Sequence, residues 1–289
     1  MTRFVTQIVD ASTFRRSLVC PAQVLAALDP AEMARLLDEG KRIYGEKPSL
    51  RKFAKSDATN KNVTWSNDEY AHVGLQHQYL RLKSLQRFTE TYNLVGRAVG
   101  RDATARDVLL KSPSLRVASL GGGPAFELDA VREYVHDHAD ARPQLTLYSI
   151  DLQPSWRPYA EALGCRFDAP FDVLQKAPDD LVAAAGGPVD VLVVSYLLIY
   201  CTNDRTADFL ANLLHRDLVK VLLVSERTHD QDIVRLLEAR HLDVVPLMPQ
   251  RAGNDQRQLL VLDARHRRRL RDGQPDEVAF PNVPFARGT

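Results

Sequence analysis

Val117-Ala118-Ser119-Leu120-Gly121-Gly122-Gly123-Pro124-Ala125-Phe126-Glu127 runs from apolar residues into three glycines and a proline. Glycine permits a sharp turn and lets a ligand approach the backbone closely. Pro124 suits the first turn of a helix, where its missing N–H is not needed. The stretch therefore reads as strand, tight loop, helix. The start of that helix offers free N–H groups to a polar ligand. A tight turn that binds nothing needs the same glycines, so the surroundings must decide between the two.

Working outward, the chain alternates after Pro113. Short β-branched or apolar runs lie at 115–120, 145–150, 165–167, 189–195, 220–225, 242–247 and 258–262. Helical patterns lie between most of them, at 126–138, 156–163, 205–214 and 230–240. Such alternation implies βαβ units and a parallel sheet with helices on both faces. Val191 to Val194 is apolar at every residue, which predicts a central strand buried on both sides. Parallel strands need a crossover of about a dozen residues or more. The link from Leu247 to Gln258 is shorter and holds Pro249, Gly253 and Asn254, so the last two runs are expected to pair antiparallel.

Ahead of Ser112-Pro113 the periodicity is helical. Val24, Leu25, Leu28, Met33, Leu36, Leu37 and Ile43 make one amphipathic face. Residues 46–64 read as a polar, basic loop with Lys47, Arg51, Lys52, Lys55 and Lys61. Val73, Leu75, Tyr79, Leu82, Leu85, Phe88, Leu94 and Val95 resume the helical spacing. The expected division is a helical N-terminal cap over 1–112, an α/β domain over 113–264 and a basic, flexible tail over 265–289.

Of the 289 residues, 45% are hydrophobic and 26% charged, which excludes collagen-like, disulfide-scaffold and wholly disordered chains. Lys and Arg total 38 against 37 Asp and Glu, a net charge of +1. A dedicated nucleic-acid coat would be far more basic, so such a role would need a local patch. Arg265, Arg267, Arg268, Arg269 and Arg271 form the one dense basic run. They suit phosphate backbones, but a solvated tail has the same composition, and nucleic acid is not favoured as a partner. Cys20, Cys165 and Cys201 are an odd, widely spaced set, which points to a reducing compartment and a cytoplasmic location. Nuclear and organellar locations stay open. Met1 to Leu18, with Arg3, Arg15 and Arg16 against one acid, weakly resembles an organelle transit peptide, though an ordinary N-terminus is favoured. No apolar run reaches the roughly 18 residues of a membrane span, so no membrane partner is expected. His136 and His138 point apart on a helix, and no metal is expected.

Three further positions suggest a ligand. Asp151 ends the second strand at the carboxyl edge, where open α/β sheets bind ligands. A carboxylate there can accept hydrogen bonds from both hydroxyls of a ribose. It is also a candidate helix N-cap ahead of Pro154. Asp172-Val173, beyond the third strand, offers an acid to an adenine amino group, with Asp168 a competitor. Ser195-Tyr196, continuing to Tyr200, ends the fourth strand beside the first, where strand order reverses. A buried strand leaving the core reads the same way.

In combination these residues resemble a class I S-adenosylmethionine-dependent methyltransferase. Ser119-Leu-Gly-Gly-Gly-Pro is similar to first motifs reading Gly-Gly-Gly-Pro-Gly followed shortly by an acid. Here Ala125 replaces the last glycine, Glu127 is the acid, and Ser119 stands where an acid usually precedes the glycines. The resemblance implies a Rossmann-like, seven-stranded, mostly parallel α/β sheet with a C-terminal antiparallel hairpin and a helical N-terminal cap. It implies S-adenosyl-L-methionine held by Gly121, Gly122, Gly123, Glu127, Asp151, Leu152, Asp172, Val173, Ser195 and Tyr196. With Ser119 lacking a charge, the methionine amino group falls to Glu127 or to the N-terminal segment. The segment ahead of strand one is expected to cross the carboxyl edge. There Trp65, Tyr70, His72, His77 and Tyr79 cluster, and Tyr70 and Tyr200 are candidate acceptor-site residues. The methyl acceptor is unidentified and no catalytic base is named. Two other readings stand beside this one. An NAD-binding oxidoreductase shares Gly121-x-Gly123, but Phe126 holds its third glycine position and no substrate-sized segment follows the sheet. A non-catalytic methyltransferase-like binding module has only Ser119 in its favour.

Overall fold

The seven apolar runs form a single sheet in the order β3-β2-β1-β4-β5-β7-β6. Its strands are β1 (Ser114–Leu120), β2 (Gln144–Ile150), β3 (Arg166–Asp168), β4 (Val189–Ser195), β5 (Val219–Arg227), β6 (Leu242–Pro246) and β7 (Gln256–Asp263). This is a computed structural model, and it describes residues 29–46, 65–227, 231–248 and 256–265. β1 to β5 pair in parallel, and β7 pairs antiparallel with both β5 and β6. The expected hairpin is present, with β7 inserted between its partner and the parallel strands.

The helices are α1 (Pro30–Gly45), α2 (Asn67–Ala71), α3 (Val73–Arg101), α4 (Ala103–Lys111), α5 (Phe126–His138), α6 (Arg157–Ala162), α7 (Pro178–Ala184), α8 (Leu198–Cys201), α9 (Asp204–His215) and α10 (Gln231–Glu238). A 3-10 turn, Pro154–Trp156, precedes α6. Val191, Leu192, Val193 and Val194 are fully buried. Val191 and Val193 face the core under α3 to α6, whereas Leu192 and Val194 face the core under α7 to α10. Burying such a side chain contributes about 1.5–3 kcal/mol, so two-sided burial makes β4 the spine of the sheet. α4, α7 and α8 did not stand out in the sequence, because short helices give few turns over which a period can show.

The candidate transit stretch and the basic loop from residue 47 to 64 lie outside the described residues. So do Val24, Leu25, Leu28, Arg267, Arg268, Arg269 and Arg271. Arg265 is described, and it folds back onto the end of β7. Its Nη2 donates to Asp263 Oδ2 at 2.6 Å and to the His215 carbonyl at 2.7 Å. Among the described residues no helix is long and apolar enough to cross a membrane.

The N-terminal helices dock through a close crossing. A Cβ built on Gly74 of α3 would lie 1.8 Å from the Leu36 carbonyl oxygen of α1, and one on Gly40 would lie 2.0 Å from Gly74 C. Only the bare backbone fits. Gly74→Ala should therefore push α1 off α3 and cost about 1–3 kcal/mol, the usual range for overpacking. Urea unfolding measures this, and an unchanged midpoint would contradict the crossing.

Candidate functional site

A cavity of about 520 Å³ opens at the carboxyl edge of β1, β2 and β4. That size suits a small-molecule or cofactor site. The residues that the resemblance assigned to the cofactor, with the two acceptor candidates, all line it: Gly121, Gly122, Gly123, Glu127, Asp151, Leu152, Asp172, Val173, Ser195, Tyr196, Tyr70 and Tyr200. Trp65, Asn67, Tyr79 and Arg87 close it from the N-terminal side. Ser119, Asp168, His72 and His77 do not line it. The Asp168 carbonyl instead accepts the Asp151 N–H at 3.1 Å, and His72 Nδ1 caps α3 by accepting the Leu75 N–H.

The glycine loop needs its glycines for two different reasons. Gly121 and Gly123 have φ of +68° and +43°, a region that side chains disfavour. Gly122 is excluded from bearing a side chain by space. Its Cβ would lie 2.7 Å from Ser149 Oγ and 2.8 Å from Ser119 Cβ. Ser119, in place of an acid, is thus packed beneath the loop and fully buried. Ala125 has a left-handed backbone, with φ of +70°. That conformation costs an L-residue roughly 1–2 kcal/mol, and the surrounding contacts must hold it. Ser149 Oγ donates to the Gly123 carbonyl at 2.9 Å, and the Gly121 N–H donates to the Ile150 carbonyl at 2.8 Å.

Asp151 anchors this loop. Its Oδ2 accepts the Gly123 N–H at 2.8 Å and its Oδ1 accepts the Gln153 N–H at 2.8 Å. The expected N-cap role belongs instead to Gln153, whose Oε1 accepts the Ser155 N–H. Burial pushes the Asp151 carboxyl up, and the N–H groups of Gln153, Gly123 and Leu152 oppose that shift. A carboxylate offers about four acceptor sites, so with these three N–H groups on it Asp151 keeps room to accept from a ligand hydroxyl. Asp172 is engaged with its own turn. Its Oδ1 accepts the Leu174 N–H at 2.9 Å and its Oδ2 accepts from Gln175 Nε2 at 2.8 Å.

The N-terminal helices are tied to the loop after β2. Gln153 Nε2 donates to the Asn67 carbonyl at 2.7 Å, and Gln76 Nε2 donates to Ser155 Oγ at 2.6 Å. Trp65 is buried, donates Nε1–H to the Ile43 carbonyl, and meets Tyr70 edge-on at 5.5 Å. Tyr79 packs on Trp156 at 5.5 Å. Burial pushes the Tyr79 hydroxyl up to about 12, with Arg87 opposing.

Sequence reasoning missed the charges on α3. Arg87 is buried, and its guanidinium carbon lies 3.2 Å from the centre of the Tyr196 ring. Arg87 Nη1 pairs with Glu90 Oε2 at 3.2 Å, and the Tyr196 hydroxyl donates to Glu90 Oε1 at 3.3 Å. Tyr196 itself has a φ of +54°. Burial pulls the Arg87 guanidinium down, but Tyr79, Glu90, Tyr196 and Glu127 together hold it above its ordinary value. A signal was available. Leu80, Ser84, Arg87, Thr91 and Leu94 fall at helical spacing on one buried face, and a charge in a core register is paired or functional.

Glu127 sits in the first turn of α5 and is only 6% exposed. Burial raises its carboxyl above the ordinary value, and the Arg87 charge opposes that rise. The folded state thus holds the proton more tightly than the unfolded chain, so stability falls as pH rises through the folded value. Glu127→Gln should raise Tm at pH 8 and change it little at pH 5. A lower Tm at pH 8 would contradict this environment.

Among the described residues no group of His, Cys, Asp and Glu side chains could hold a metal ion. His138 stacks on Tyr134 with ring centres 4.1 Å apart.

No protein-family model matches the sequence, and no curated protein sequence matches it. Solved structures do. An O-methyltransferase family protein from Burkholderia thailandensis is 16% identical, with 78% of this chain and 71% of that one covered and a TM-score of 0.51. The magnesium protoporphyrin IX methyltransferase of Synechocystis PCC 6803, solved with bound SAM, is 14% identical, with 71% and 100% covered and a TM-score of 0.46. At 16% identity the likeness to the Burkholderia protein is one of fold. This chain has an α/β methyltransferase-like fold, a seven-stranded, mostly parallel sheet with an antiparallel end.

Proposed function

We propose that the protein transfers a methyl group from S-adenosyl-L-methionine to an acceptor not yet identified. One observation carries this reading. Within a methyltransferase fold, Asp151 and the Gly121–Gly123 loop meet at one cavity and are bonded to each other. The chemistry of the lining fits the donor. Asp151 would accept the ribose hydroxyls beside the bare backbone of the loop. Leu152 and Val173 offer apolar walls to the adenine, with Asp172 near its amino group. Glu127, Ser195 and Tyr196 face the remaining, polar end. An NAD-dependent reaction fits less well, because the buried Phe126 ring fills the position where the dinucleotide fold needs its third glycine.

The donor supplies an activated methyl group. The protein's task is then geometric: in-line approach of the nucleophile at about 3 Å and exclusion of water. Trp65, Tyr70 and Tyr79 supply the apolar wall that excludes it. On this reading residues 1–112 form the acceptor-side cap, 113–264 the donor-binding domain and 265–289 a basic tail. Tyr70 and Tyr200 would border the acceptor. The odd, widely spaced cysteines favour a reducing, cytoplasmic setting.

Purified protein given labelled donor should methylate a component of an RNA, protein or metabolite fraction. Asp151→Ala should weaken donor binding by about 1.5–3 kcal/mol, the usual worth of a hydrogen bond to a charged group. Binding as tight as wild type would overturn the ribose assignment. Tyr70→Ala should lower methyl transfer while Tm is largely kept, and full activity would remove Tyr70 from the acceptor site.

A further inference from the structure

We propose that the amino-acid end of the methyl donor is read by a buried charge cluster that the N-terminal segment completes, with Arg87 of α3 taking the carboxylate and Glu127 of α5 the ammonium. The assignment rests on the reading above, that the cavity takes S-adenosylmethionine.

That end of the donor carries one negative and one positive group side by side. A pocket that desolvates both must return a charge of each sign. Among the described residues that line the cavity, Arg87 is the one basic side chain. The lining acids fall into two sets. Asp151 and Asp172 lie beyond β2 and β3 and are bonded to backbone N–H groups. Glu127 follows the glycine loop, in the first turn of α5, within the electrostatic reach of Arg87. A donor with its ribose on Asp151 and its adenine toward Val173 therefore extends its other end past the loop to Glu127 and Arg87. Ser119, where the sequence motif leads one to expect an acid, is packed beneath Gly122 and cannot reach.

Arg87 is held in place for such a role. The Tyr196 ring lies under its guanidinium, and Glu90 accepts from Nη1 while also accepting the Tyr196 hydroxyl. A guanidinium fixed this way presents its remaining N–H groups in a rigid fork, suited to a carboxylate. Glu90 does not line the cavity. It acts through Arg87 and Tyr196 as a positioning residue. The donor site thus spans α3, α5 and the end of β4, and the N-terminal helices belong to it as well as to the acceptor side.

Calorimetric binding of S-adenosylhomocysteine and of 5′-methylthioadenosine tests this, because the second keeps the nucleoside and lacks the amino-acid end. Arg87→Gln and Glu127→Gln should each weaken S-adenosylhomocysteine by about tenfold or more, with methylthioadenosine within about twofold of wild type. Parallel loss of both ligands, or unchanged S-adenosylhomocysteine affinity, would overturn the assignment. A second measurement needs no variant: wild type should bind decarboxylated S-adenosylmethionine about tenfold more weakly than S-adenosylmethionine, and equal affinities would overturn the role of Arg87. Wild-type protein that binds none of these ligands would instead overturn the donor reading, and this assignment with it.

Discussion

The hydrogen bond from the Gly123 N–H to Asp151 Oδ2 joins the end of β2 to the loop that follows β1. Two backbone demands meet there. Gly121 and Gly123 take positive φ, and Gly122 lies directly on Ser149 and Ser119. Neither demand by itself fixes where the loop points. The carboxylate does, because it also accepts the Gln153 N–H and so orients the next loop as well. Gln153 in turn reaches Asn67, which ties the N-terminal helices to the same edge. A single half-buried acid thereby ties three segments together. The desolvation that raises its pKa is partly offset by those same N–H groups.

The N-terminal helices are coupled to the sheet by chemistry as much as by packing. α3 contributes apolar contacts at Leu80, Leu94 and Val95 to the core it shares with α5. On the same face it carries Arg87, Glu90 and Gln76. Gln258 of β7 donates to the Glu90 carbonyl at 2.8 Å, so the antiparallel end of the sheet also braces this helix. A buried ion pair is a weak contributor to stability, because desolvation consumes most of its attraction. The position of Arg87 on the cavity wall fits the donor-binding role proposed for it above.

Much of the fold was legible in the sequence because its signals are local. The glycine loop, the all-apolar β4 and the short link before β7 each depend on a few neighbouring residues. The line of candidate contacts from Gly121 to Tyr196 was legible for the same reason, since strand ends at a carboxyl edge converge by topology. Arg87 was not read, because it meets Tyr196 and Glu127 only through tertiary packing. The close Gly40–Gly74 crossing was missed likewise, since each glycine alone resembles an ordinary helical one. The place of β7 between β5 and β6 depends on long-range pairing that periodicity does not encode. Asp151 was assigned two roles, of which the structure replaces the helix cap by a clamp on the loop.

The most direct test of the account is the crystal structure of the protein grown with S-adenosylhomocysteine. The account predicts one molecule in the cavity beside Gly121–Gly123, with both ribose hydroxyls within hydrogen-bond distance of the Asp151 carboxylate and the amino-acid end toward Glu127 and Arg87. A ligand bound elsewhere, or with its ribose away from Asp151, would contradict it.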